Sequence, residues 1–277
     1  MVSAILTCYA RPQNLDLQIE AIKSQSIKVN EIIIVVDFNE NVSFDFKKYS
    51  QCQIVNFSKN VGVWGRFAIS LLATSKYICV FDDDTIPGSR WFENCINTLK
   101  NVDGLLGTIG VKFNNGALDY NYSERVGWDN PNQEIEVVDI VGHSWFFKRS
   151  LIEKFWNDSA NHSKFKKSGE DIHFSYIIKK ELNLNTYVPP HPINDTSMWG
   201  SLPEYAKKLG SDEHALSLDV YSNLRMSKYM KNVREKGFLF QSENKAQSPI
   251  SHKSKIRYVL NNIIFIIKYY LKKLLNK

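Results

Sequence analysis

Residues 77–88 read YICVFDDDTIPG. Five mostly apolar residues run directly into three aspartates, and a Pro-Gly turn follows. The apolar run has the length and composition of a buried strand. Asp82, Asp83 and Asp84 therefore stand at its carboxyl end. Like charges so close repel, and a carboxylate at the mouth of a core is costly to desolvate. The pattern calls for a compensating positive charge. In an extended segment alternate side chains share a side, so Asp82 and Asp84 point one way and Asp83 the other. Two carboxylates on one side of a strand end suit a hard divalent cation with oxygen ligands, Mg²⁺ or Mn²⁺. A solvated acidic turn is the plainer alternative.

Working outward, strand and helix signals alternate. VSAILTC (2–8) and the near-continuous apolar run EIIIVVD (31–37) read as strands buried on both faces, and CQIVNFS (52–58) as another strand. Between the first two, Leu15, Ile19 and Ile22 give helical spacing behind Pro12. VWGRFAISLLATS (63–75) reads as a helix. SRWFENCINTLK is a second, with Ser89 as its expected N-cap. GLLGTIGVKF (104–113) is a further strand. This order predicts an α/β fold: a doubly wound, mainly parallel sheet flanked by helices. After about residue 114 the alternation loosens. Residues 114–136 read as a polar loop, VVDIVGHSWFFKR (137–149) as a strand, SLIEKFW and GEDIHFSYIIKKEL (169–182) as helices, and NTYVPP as a short strand.

The chain has 277 residues, 43% hydrophobic and 23% charged, which excludes a disordered or fibrous chain. Cys8, Cys52, Cys79 and Cys95 are scattered without a CxxC pair, as expected of reduced thiols. MVSAILTCYARP lacks the basic start and the long apolar stretch of a secretory signal. The net charge of +6 belongs to the end of the chain: eight Lys and Arg and no acid follow Glu243, leaving residues 1–244 at −2. That distribution argues against nucleic acid as a partner of the main body.

Taken in order, EIIIVVD, NVGVWGRF, VFDDDTIPG and GEDIHFSYI resemble the GT-A glycosyltransferases, most closely the inverting family that builds bacterial polysaccharides. The grouping of GRF, DDD and GEDI also resembles the exostosin-type transferases, which retain configuration. The resemblance covers about residues 2–190. It implies a GT-A catalytic domain over 1–240, with a nucleotide-sugar half to about 113 and an acceptor half from 114. It implies a hexosyl or N-acetylhexosaminyl donor on a nucleotide, uridine being the usual base, although no residue here reads the base. It implies a saccharide or lipid-linked acceptor, and a site at the cytoplasmic face of a membrane.

Residue by residue, the resemblance makes Asp84 the direct metal ligand and Asp82 a metal or ribose contact, with Asp83 beside them. Asp37 would hold the nucleoside. Thr7, Tyr9 and Arg11 would meet the base and phosphates, with Asn60 and Arg66 against the nucleotide and Arg66 on the diphosphate. Asp171 would be the general base, with Glu170 orienting or binding the acceptor. His143 and Trp145 would line the acceptor side, and His191 or His214 would complete the metal site. Structural alternatives stay open: a helix-surface arginine at 66, packing for Tyr9 and Trp145, acids placed only for a helix N-terminus at 170 and 171, and a structural histidine at 191. A phosphatase of the haloacid dehalogenase type is excluded by spacing, because the position that should carry Thr is Ile86. A non-catalytic sugar-nucleotide-binding or membrane-scaffold protein is the reading from another class.

Residues 241–255 read as a linker. Beyond it, Ile256, Leu260, Ile263, Ile264, Ile267, Leu271, Leu274 and Leu275 recur at helical spacing. The longest run without charge, Tyr258 to Ile267, is about half the ~20 residues a bilayer span needs. The expectation for 256–277 is a basic amphipathic helix lying on an anionic membrane surface. A helix docked on the catalytic domain or pairing two subunits is the alternative.

Overall fold

The computed structural model describes residues 1–113, 123–128, 130–158, 167–212 and 220–244. The expected helix over 256–277, most of the linker before it, part of the 114–136 loop and His214 lie outside the described residues.

Among the described residues nine strands make one sheet: β1 (Val2–Cys8), β2 (Val29–Val36), β3 (Gln53–Asn56), β4 (Tyr77–Phe81), β5 (Gly104–Phe113), β6 (Ser123–Gly127), β7 (Glu136–Val138), β8 (Ile140–Lys148) and β9 (Asn185–Val188). Their order is β3-β2-β1-β4-β8-β5-β9-β7, with β6 paired to β5. The apolar runs of β1, β2 and β4 alternate between two cores. Ile5, Ile33, Val35, Ile78 and Val80 face one side; Ala4, Leu6, Ile34, Cys79 and Phe81 face the other. Helices α1 (Leu15–Lys23) and α3 (Trp91–Asn101) cover the second face through Leu15, Ile19, Ile22, Trp91 and Phe92. Short helices α2 (Gly65–Ile69) and α4 (Ser150–Phe155), with α5 (Glu170–Leu182) and α7 (Val220–Glu235), cover the first through Phe67, Phe155, Phe174 and Tyr229. Helix α6 (Pro203–Leu209) lies between α5 and α7 in the chain.

Five expectations change in detail. Within the expected 114–136 loop, Ser123–Gly127 is a strand, β6, paired antiparallel to β5. The sheet is parallel through β3-β2-β1-β4, but β8 enters antiparallel between β4 and β5, so the second half is mixed. The strand expected over 137–149 is two strands divided at Asp139. That buried carboxylate accepts from the backbone N–H groups of Phe113 at 2.7 Å and Gln241 at 2.6 Å, which turns the chain from β9's edge to β8. The helix expected over 63–75 is one turn and a half of α-helix followed by a 3-10 turn at Ser70–Leu72, where Ser70 Oγ donates back to the Arg66 carbonyl. Helix α3 begins after Arg90 with no side-chain cap; Ser89 instead accepts from Ser26 N–H through its carbonyl.

Candidate active site

The chain leaves β1 toward β2 and β3 on one side, then returns to lay β4 on the other. In open α/β sheets the crevice beyond the carboxyl ends at such a reversal is where ligands bind. Here it is a cavity of about 670 Å³. Tyr9 and Arg11 enter it after β1, Asp37 after β2, and Asp82, Asp83 and Asp84 after β4.

The aspartate segment is fixed by its backbone. Gln18 on α1 donates to the carbonyls of Asp82 and Thr85 at 2.7 and 3.0 Å, and Asn14 donates to the Asp83 carbonyl at 2.9 Å. Sequence reading passed over both; the only signal was a polar residue at position 18 inside the apolar stripe of α1. With the backbone held, the side chains part. Asp83 turns to Arg11, 2.5 Å from Nη1. Asp82 and Asp84 converge with His143, so that one ligand atom from each lies within 4.8 Å of the others.

His143 arrives on β8. Phe81 pairs with Ser144, and Asp82 N–H donates to the His143 carbonyl at 3.0 Å, which sets the ring beside the strand end. Its φ of 67° is left-handed, unusual for a residue with a side chain. Nδ1 is 3.8 Å from Asp82 Oδ2. Two carboxylates and an imidazole are a donor set that fits Mn²⁺ or Mg²⁺. His191, expected to complete that set, does not. It is fully buried: Nδ1 donates to the Pro189 carbonyl at 2.8 Å, and Nε2 lies 3.0 Å from Thr108 Oγ1 and accepts from Gly200 N–H. Burial pushes its pKa down to about 4. It is a neutral structural histidine, and the imidazole beside Asp82 and Asp84 is that of His143, which was expected on the acceptor side.

Arg66 is buried rather than on a helix surface. Nη1 donates to Asp82 Oδ1, and Nη2 to Glu170 Oε1 at 2.5 Å. The guanidinium lies 4.5 Å from the ring of Trp145. Both hydrogen-bonding ends therefore serve carboxylates of this chain, where a diphosphate contact was expected. Trp145 is 2% exposed, donates Nε1 to the Val141 carbonyl, and forms a floor under Arg66 instead of an open sugar-stacking face. Trp128, which the sequence reading did not single out, lines the cavity and packs edge-on against His143.

Asp37 accepts from the N–H groups of Val61 and Gly62 at 2.8 and 3.1 Å. It thereby shapes the 60–62 loop on which Asn60 meets the cavity. Gly62 needs its freedom there, with φ at 72°. Thr7 Oγ1 donates to the Phe81 carbonyl, tying β1 to β4, and Tyr9 stands 41% exposed at the cavity wall.

Glu170 and Asp171 open α5 across the cavity. Gly169 precedes them at φ 88°, and an added Cβ there would come within 2.9 Å of the Tyr229 ring. Tyr229 hydrogen-bonds His173 Nδ1, whose Nε2 donates to the Phe155 carbonyl, so α7 and α4 clamp this turn from behind. Desolvation and the adjacent Glu170 push Asp171 up to about 8. Desolvation raises Glu170 too, against the pull of Arg66, and raises Asp83 to about 6 despite Arg11.

A family model described as Glycosyl transferase family 2 matches residues 3–156, more than half of the chain. The chain belongs to glycosyl transferase family 2. The matched stretch holds the aspartate segment, Arg66 and His143, and it ends before the Glu170–Asp171 turn of this family-2 chain. Among solved structures the chain is similar to S. aureus TarS 1–349 in complex with UDP, at 16% identity and a TM-score of 0.50, over 69% of this chain and 58% of that one. It is also similar to GalNAc-T7 with UDP, GalNAc and Mn²⁺, at 14% identity and a TM-score of 0.56, over 94% of this chain and 55% of that one. These likenesses show the GT-A fold. The chain spans less than two thirds of the length of either. No curated protein matches the chain.

Arg66 is the cation whose removal leaves two carboxylates uncompensated. Arg66→Met is expected to destabilise the chain by about 3–5 kcal/mol near neutral pH. Desolvation raises the proton affinity of Glu170, so without Arg66 it should take up a proton as pH falls and the loss should shrink. Urea unfolding of both proteins at several pH values measures it; equal stability at neutral pH would show that the buried pairs do not matter.

Proposed function

We propose that this chain is a metal-dependent glycosyltransferase that moves a hexosyl or N-acetylhexosaminyl group from a nucleotide-sugar, uridine-linked by resemblance, to a saccharide or lipid-linked acceptor in surface polysaccharide synthesis. One observation carries the reading: a cation-type donor set, Asp82, Asp84 and His143, and a carboxylate of high proton affinity, Asp171, line the same cavity. Family membership supports it.

Asp82, through Oδ2, Asp84 and His143 are the residues to hold the cation; Asp82 Oδ1 is occupied by Arg66. A divalent cation there supplies compensation for the charge that develops on a leaving diphosphate. Asp171 takes the proton from the acceptor hydroxyl as that oxygen attacks the anomeric carbon, the bond to the diphosphate breaks, and configuration inverts. Arg66 holds Glu170 in place beside the base. The basic stripe over 256–277 would hold this site against an anionic membrane at the cytoplasmic face, where a lipid-linked acceptor resides.

Asp84→Asn should abolish Mn²⁺-dependent binding of nucleoside diphosphates and hydrolysis of a panel of nucleotide-sugars, with thermal unfolding unchanged. Undiminished activity in that variant, or in excess chelator, would rule out the metal role.

Asp171→Asn should lower kcat by about two to four orders of magnitude with donor affinity little changed. The base works deprotonated, so wild-type kcat should rise as pH climbs through about 8 and level off above it. An unaffected rate returns Asp171 to a structural role at the helix start; a product of retained configuration, seen by NMR, assigns the exostosin-type mechanism instead.

The membrane reading is checked by flotation with anionic liposomes. The full chain should float at low salt and less at high salt, and a chain ending near Ser248 should not. Failure of the full chain to float assigns the apolar stripe to a protein contact.

A further inference from the structure

Arg11 is as well placed for a phosphate as any cation in the cavity, yet its guanidinium is already engaged. Nη1 donates to Asp83 Oδ1 at 2.5 Å. Nε and Nη2 donate side by side to the two oxygens of Asp212, at 2.7 and 2.6 Å. The two partners are unequal. Asp83 is 17% exposed, and its backbone is pinned by Asn14 at the end of β4. Asp212 is 40% exposed, lies just beyond α6, and stands 201 residues from Arg11 in the sequence. Gly210 and Ser211, immediately before it, line the cavity.

The paired Nε/Nη2 edge is the face with which a guanidinium receives two oxygens of a carboxylate or of a phosphate. Asp212 thus occupies the phosphate-receiving edge of a side chain that is itself only 6% exposed. The same guanidinium reaches toward the cation-type cluster, with Asp84 Oδ2 3.7 Å from Nη1. A diphosphate received on the Nε/Nη2 edge would compete with Asp212 for it. The bond to Asp83 need not break for this to happen.

We propose that Asp212 is a displaceable latch: it holds Arg11 in the ligand-free chain and yields the Nε/Nη2 edge to the diphosphate of the donor. The inference rests on the nucleotide-sugar reading above. The exchange is favoured because a diphosphate carries more charge than a carboxylate and because Asp212, facing water, regains hydration when it leaves. Burial makes the opposite state costly: without Asp212 or a ligand, Arg11 would keep only one of its paired contacts inside the protein. The position of the 210–212 segment therefore reports whether the phosphate site is filled.

Titration calorimetry of the full chain with inorganic pyrophosphate and with UDP, in the presence of Mg²⁺, tests the latch. Asp212→Asn keeps the shape and removes the competing charge, and should tighten binding of both probes by about five-fold. In an Arg11→Gln background the same substitution should give no tightening, since the contested edge is gone. Hydrogen exchange on the unmodified chain gives a second reading: backbone amides at 210–212 should exchange faster with UDP bound. Binding to Asp212→Asn that is no tighter, equal tightening in the Arg11→Gln background, or slower exchange at 210–212 with UDP each overturns the latch. If Asp212→Asn does not fold, the exchange measurement decides alone. UDP binding that is indifferent to Asp212 overturns the latch and leaves the donor reading intact; no binding of either probe by any variant overturns both.

Discussion

A buried guanidinium between two carboxylates ties this molecule's two halves together. Arg66 sits on α2, Asp82 ends β4 in the parallel half, and Glu170 starts α5 beyond the mixed half. Each ion would be costly to bury alone, and the pairing makes burial tolerable only while all three stay in place. Trp145 supplies the floor that keeps the guanidinium flat. The position of Asp82 thus depends on Glu170, and the orientation of the turn that carries Asp171 depends on Asp82. The candidate cation site and the candidate base are linked through one side chain.

The antiparallel entry of β8 is the second constraint. A parallel neighbour for β4 would have brought its carboxyl end to the cavity, with a loop to follow. Running the other way, β8 brings its first residues there, and His143 lands beside Asp82 within a strand paired on both sides. A strand-borne ligand is held more rigidly than a loop-borne one, and the left-handed φ at His143 is the local distortion that aims it. Asp139 makes this geometry possible by ending β7 and turning the chain one residue before β8 begins.

The first half of the fold was legible because burial on both faces writes itself as apolar runs, and YICVF, EIIIVV and GLLGTIGVKF needed no further context. The aspartates were legible because charge at the end of such a run has few structural explanations, whereas the GED turn was legible only through the family resemblance. What the sequence hid was direction and partnership. Residues 137–148 show the same apolar run whichever way the strand lies, so the antiparallel insertion, and with it the placement of His143 rather than His191 beside Asp82 and Asp84, was invisible. A histidine's role depends on what its two nitrogens meet, and His191 meets Pro189, Thr108 and Gly200. Arg66 gave no sign of its two carboxylate partners, one of them 104 residues away. Asp212 lies in no motif, and only folding brings it to Arg11.

The electrostatics of the cavity follow from these pairings. Asp37, Asp82, Asp83, Asp84, Glu170 and Asp171 line the cavity with Arg11, Arg66, Arg125 and Lys167, and Asp212 pairs with Arg11. Desolvation, with neighbouring acids adding to it, raises proton affinity to about 6 at Asp83 and about 8 at Asp171. In the proposed reaction a cation at Asp82 and Asp84 would offset the repulsion between these carboxylates and a diphosphate. The same burial and neighbouring acid give Asp171 a proton affinity suited to a base near neutral pH, which an isolated surface aspartate lacks. In that reading one group of carboxylates would call for a cation on one side of the cavity and, with burial, would raise the basicity of Asp171 on the other.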